Sequence, residues 1–146
     1  MNRNQREVCF LLASGDGGEG GDAIVWSDAS DDPCALPDSR ARWEAIWSRR
    51  ERLVEIAHSH PNGPSAFSME DETTMAALVS ALARPIRFSV VAPHAVVVRK
   101  YGAPDKDGEA PTHEEEILEG DGEPWWAELL RLASGVHRST SKKGGD

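Results

Sequence analysis

The sequence predicts a single mixed α/β domain of the α+β type, one largely antiparallel sheet with helices packed around it. Two short apolar runs, Glu7–Ala13 and Ala23–Trp26, flank a glycine-rich break at residues 14–22. Two more, Ile86–Ala92 and Ala95–Tyr101, flank Pro93-His94, so hairpins are expected at both ends. Helical periodicity falls between those hairpins, around a fifth apolar run at Leu53–His58. With 146 residues, 39% of them hydrophobic, the chain is large enough to bury one core and too apolar to be disordered as a whole.

Taken in order, Glu7–Ala13 is an acid-headed apolar strand and Ala23–Trp26 a short second one; residues 27–38 are acidic and proline-bearing, a loop. Ser39 can cap a helix from Arg40 to about Arg52, with Trp43, Ile46, Trp47 and Leu53 marking its apolar face. Ser68 opens a second helix running to Ala83, with Met75, Leu78, Val79 and Leu82 as its buried stripe; Arg84-Pro85 ends it. Residues 102–123 form a long acidic loop, in which Thr112–Glu119 reads as a short helix or as solvated chain. A last helix spans 124–133 with Pro124 in its first turn. Trp125 and Trp126 are adjacent on it and cannot both face inward. The segment 134–146 is small, polar and basic, the composition of a disordered tail. The domain proper is therefore expected over 1–133.

Charge and cysteine usage narrow the function classes. A formal charge of −9 disfavours a general nucleic-acid binder or an anionic membrane surface as partner. No apolar run reaches the roughly 18 residues of a membrane span, and the first residues show no signal-peptide core. Cys9 and Cys34 make no Cys-x-x-Cys pair, which leaves a reduced, cytoplasmic setting as the expectation.

The stretch His58–Asp71 carries the chemistry. His58 and His60 are two apart on a strand end and face the same side; Pro61-Asn62-Gly63-Pro64 turns the chain; Ser68 begins a helix with Asp71 in its first turn. Taken separately these residues have ordinary explanations: Ser68-x-x-Asp71 is close to a capping box, the histidines to exposed strand ends, Glu7 to a solvated strand terminus. Together, His-x-His, seven residues, Ser, two residues, Asp resembles the signature of the JAMM metalloproteases, also called the JAB or MPN+ domain. Glu7-Val8-Cys9-Phe10-Leu11-Leu12 resembles the family's glutamate strand, departing at Phe10, where glycine is frequent; Glu55-Ile56-Ala57 departs from the glycine and aromatic often found before the first histidine.

The resemblance implies a curved sheet flanked by helices, Zn2+ held by His58, His60 and Asp71, Glu7 as general base, and Ser68 as a hydrogen-bond donor to the oxyanion. Zinc with three protein ligands lowers the pKa of its water to about 7; no covalent acyl-enzyme is needed, so neither cysteine has to be a nucleophile. The implied substrate is a ubiquitin-like protein or its conjugate, cut after the C-terminal tail by deconjugation or precursor trimming. Cognate activating and conjugating enzymes are possible partners. The chain is similar to the compact prokaryotic members, some associated with ubiquitin-like conjugation or antiphage systems. The alternatives are a non-catalytic MPN-like scaffold and a RadC-like relative with a DNA-linked role. Acidic residues 102–123 would attract a basic substrate tail; Glu70 and Glu72 are expected to be solvated acids at a helix start, and His94 and His113 turn and loop residues.

Overall fold

The computed structural model describes residues 5–14, 22–30, 39–102 and 112–136. Six strands, β1 (Val8–Ser14), β2 (Asp22–Ala29), β3 (Leu53–Ser59), β4 (Arg87–Val91), β5 (Val96–Tyr101) and β6 (His113–Leu118), form one sheet in the order β2-β1-β3-β4-β5-β6. Every neighbouring pair is antiparallel except β3–β4. A parallel pair needs a crossover, which helix α2 (Met69–Leu82) supplies; α1 (Arg40–Ser48) precedes β3 and α3 (Ala127–Ala133) closes the described chain.

The core has two sides because the central strands are buried on both faces. Cys9 and Leu11 of β1 join Ile46 of α1 and Met75, Leu78, Val79 and Leu82 of α2 in one cluster. Val8, Phe10 and Leu12 join Trp126, Ala127 and Leu130 of α3 in the other. A strand covered on both faces has no polar side, hence the unbroken apolar run of β1. Phe10, at a position where glycine is frequent in the resembled strand, fills the α3 layer. The predicted α2 stripe is buried as expected, and both hairpins form.

Four expectations are corrected. β2 runs through Ala29, into the residues read as loop; residues 31–38 lie outside the described set. Helix α1 stops at Ser48, a turn takes the chain to Leu53 in β3, and Trp43 and Trp47 are 40% and 53% exposed. Only Ala45 and Ile46 of that helix are buried; Trp47 instead stacks under the Arg50 guanidinium, 4.2 Å from its ring centre. The acidic loop 102–123 contains an edge strand: Glu114-Glu115-Glu116 belongs to β6, opposite Lys100, Arg99 and Val98. Helix-favouring glutamates take the extended form because β5 presents cations to them. Arg99 reaches Glu115 at 2.6 Å and Lys100 reaches Glu116 at 3.8 Å, and the charges also blunt the sheet edge. His113 is thus a strand residue, its ring 5.1 Å from that of Tyr101.

The fourth correction concerns residues 134–136 of the predicted tail. Gly135, at φ 82°, lets the α3 terminus turn back. Val136 N–H bonds the Arg131 carbonyl at 2.9 Å and Gly135 N–H the Leu132 carbonyl at 3.1 Å. Ser134 and Val136 are buried, and residues 137–146 lie outside the described set. Arg131, 1% exposed, fastens α3 further through Glu123 at 2.6 Å and the Ala92 carbonyl at 2.9 Å. No helix among the described residues is long and apolar enough to cross a membrane.

Leu130 is fully buried and Leu129 is 46% exposed on the same helix. Leu130→Ala is therefore expected to lower unfolding free energy by about 2–5 kcal/mol, and Leu129→Ala by less than about 0.5 kcal/mol, as read from urea denaturation.

Candidate metal centre

The site forms where β1, β3 and the start of α2 meet. At the end of β3, His58 and, one residue past the strand, His60 face the α1–α2 side, while Ser59 between them faces α3. The β1–β3 ladder pairs Cys9 with His58; continued by two residues, the antiparallel register sets Glu7 opposite His60. Glu7 is 7% exposed, and its carbonyl accepts the Ser30 N–H at 2.9 Å. One ligand atom each from Glu7, His58 and His60 lies within 4.8 Å of the others, a group that could hold a metal ion.

Asp71 comes to the same place by a local rule. The capping box is present in full: Asp71 N–H donates to Ser68 Oγ at 3.0 Å, and Ser68 N–H donates to Asp71 Oδ2 at 2.8 Å. That same Oδ2 lies 3.3 Å from His58 Nε2 and 3.6 Å from His60 Nε2, and the two nitrogens are 3.2 Å apart. Three donors at the corners of a tetrahedron with bonds of 2.0–2.1 Å would be about 3.3–3.4 Å apart, so the donor set fits one small divalent cation. Capping and ligation are thus compatible roles of one carboxylate.

The turn after β3 fixes the imidazole of His60. Gly63 N–H bonds the His60 carbonyl at 2.8 Å, and Gly63 takes φ 77°, a conformation that costs a residue with a Cβ. His60 Nδ1 lies 3.0 Å from the Pro64 carbonyl oxygen. A carbonyl only accepts, so Nδ1 carries the proton and the Nε2 lone pair points into the site, the arrangement a ligating histidine requires.

The electrostatics follow from packing. Burial pushes the Asp71 carboxyl up, but hydrogen bonds with His58 and His60 outweigh it and hold Asp71 well below the usual carboxylate range. Burial pulls His60 down, but its bonds to Asp71 and the Pro64 carbonyl outweigh that and leave it above the ordinary histidine value. Burial pushes the Cys9 thiol up to about 12, so Cys9 lines the site as an uncharged thiol. The site opens into a cleft of about 830 Å³ whose apolar lining includes Trp43, Phe67, Met69 and Met75. Glu72 is exposed, as expected, and also pairs with Arg99 at 3.1 Å. Arg99 also lies 4.9 Å from the Phe67 ring centre, holding the loop before α2 against β5.

All five predicted residues, Glu7, His58, His60, Ser68 and Asp71, line this one cleft. The sequence reading missed the Pro64 carbonyl, a backbone group with no residue-type signal, and Ser59. Period-two alternation could have flagged Ser59, since a residue between two same-face histidines must face the opposite layer.

A family model described as prokaryotic homologs of the JAB domain matches residues 1–111, a span that takes in all five. No curated protein matches the chain.

Metal affinity is expected to fall on acidification. A proton on His60 competes with the cation, and because His60 binds its proton more readily than an ordinary histidine, competition begins at higher pH. Isothermal titration should show at least about a tenfold weaker Kd at pH 5 than at pH 7; a pH-independent Kd would exclude His60 as a ligand.

Proposed function

This chain belongs to the family of prokaryotic JAB-domain proteins, and on that premise we propose that it is a zinc-dependent isopeptidase or peptidase. Its proposed substrate is a ubiquitin-like protein or its conjugate, cut after the C-terminal tail. The observation that carries the reading is the convergence of two imidazole nitrogens and one carboxylate oxygen, 3.2–3.6 Å apart, beside the buried carboxylate of Glu7.

His58, His60 and Asp71 would hold the ion, with the Glu7 carboxylate kept back as the fourth group of the site. A Zn2+ ion there would acidify a water and polarise a scissile carbonyl. Glu7, anchored at the end of β1, takes the proton of the attacking water and delivers it to the leaving amine. The water oxygen bonds to the carbonyl carbon and the C–N bond breaks, so no group on the protein is consumed. Ser68 Oγ accepts the Asp71 N–H, which leaves its own hydroxyl proton to donate to the developing oxyanion. The substrate class rests on family membership; the site lies in a cleft of about 830 Å³.

Glu7→Ala is expected to keep its zinc and lose turnover, whereas His58→Ala loses both; Ser68→Ala keeps zinc and lowers kcat by about 10²–10³. Zinc content by mass spectrometry and cleavage of a fluorogenic ubiquitin-like conjugate check these outcomes. Full activity in Glu7→Ala would remove Glu7 from the mechanism.

A further inference from the structure

We propose that Ser134, at the end of α3, and Ser59, between the two histidines, are positioning residues that fix Glu7 over the metal centre. The inference rests on the peptidase reading above, since it assigns a means of holding that reading's base in place.

Glu7 lies one residue outside β1, and the β1–β3 ladder begins only at Cys9 and His58. On the β2 side the Glu7 carbonyl is held by the Ser30 N–H; on the β3 side the backbone flanking Glu7 is tied to Ser134 directly and through Ser59. Before Glu7, Arg6 N–H donates to the Ser134 carbonyl at 3.0 Å and Arg6 Nε to the Ala133 carbonyl at 3.0 Å. After it, Val8 N–H donates to Ser59 Oγ at 2.9 Å, and Ser59 Oγ lies 2.6 Å from Ser134 Oγ. Ser59 and Ser134 are 1% and 0% exposed.

Each hydroxyl has one proton, and this fixes the direction of the chain. Ser134 Oγ lies 2.7 Å from the Leu130 carbonyl, which only accepts, so Ser134 donates there. Ser59 therefore donates to Ser134 and accepts from Val8. Every bond in the series is satisfied in one sense only, and each polarises the next in a dry environment. Ser59 is also bonded covalently to both histidines, so the series sets the spacing between Glu7 and the His58–His60 pair. One serine thus brackets Glu7 twice, through its carbonyl toward Arg6 and through its hydroxyl toward Val8. Ser134 lies beyond residue 111, outside the segment that the family model matches. The clamp on Glu7 is supplied by the C-terminal helix of this chain.

The test uses the full-length protein loaded with Co2+ and compares Ser134→Ala, Ser134→Thr, Ser59→Ala and Glu7→Gln, each checked for folding by thermal melt. Loss of the clamp should leave one equivalent of metal bound, lower kcat about 10–100-fold and leave KM within a factor of about two. It should also move the pH midpoint of the Co2+ absorption change in the direction that Glu7→Gln moves it. Ser134→Thr, which keeps the hydroxyl, should restore both. Ser134→Ala in the Glu7→Gln background should cost nothing further, because both act through one group. If Ser134→Ala does not fold, Ser59→Ala must give the same signature from the other end of the bond. Serine variants that match wild type in kcat and midpoint, or that lose as much activity without Glu7 as with it, overturn the proposal. A Glu7→Gln variant that leaves the Co2+ midpoint unmoved overturns the peptidase reading itself, which the serine variants alone cannot do.

Discussion

Asp71 Oδ2 accepts the Ser68 N–H at the start of α2 while lying 3.3 Å and 3.6 Å from the Nε2 atoms of His58 and His60. This shared oxygen ties secondary structure to chemistry. The helix begins where its cap is satisfied, and one of the two bonds of that capping box is made by the carboxylate that closes the site. A shift of α2 by one residue would turn Asp71 away from the imidazoles by about 100°. Ser68 orders the helix start through its lone pair and also lines the cleft.

The rest of the structure holds the other half of the site against this oxygen. The parallel β3–β4 pair requires α2 to cross the sheet, which brings the helix start back over the strand that carries the histidines. The antiparallel β1–β3 ladder starts at Cys9 and His58, and Glu7 and His60 lie two residues beyond it on the same side of the sheet. The α3 layer, on the far face, has no side chain in the cleft and still reaches the site through Ser59. Burial on both faces makes β1 and β3 resistant to local opening, as a site built on strand ends requires.

What could be read from the sequence was whatever local rules determine. His58 and His60 share a face by strand period, Ser68 and Asp71 meet by the capping box, and β1 shows its double burial as an unbroken apolar run. The edge strand β6 was hidden because three consecutive glutamates favour helix or loop, and only the cations at Arg99 and Lys100 make them extended. Trp43 and Trp47 misled through their size: α1 turns Ala45 and Ile46 into the core and leaves the face shared by the two tryptophans exposed. Ser59 and Ser134 are 75 residues apart, and no spacing rule joins two serines across a sheet.

In the proposed site, His58, His60 and Asp71 bind one metal ion while Glu7 stays outside the ligand shell. A crystal structure of the zinc-loaded protein, with the ion located by anomalous scattering at the zinc edge, measures this directly. A single site is expected, with His58 Nε2 and His60 Nε2 at about 2.0–2.1 Å and an Asp71 oxygen at about 2.0–2.2 Å, and with Glu7 more than about 3 Å from the ion, too far for a zinc–oxygen bond. A Glu7 oxygen in place of Asp71 in the ligand shell, or no ordered ion between the histidines, would contradict it.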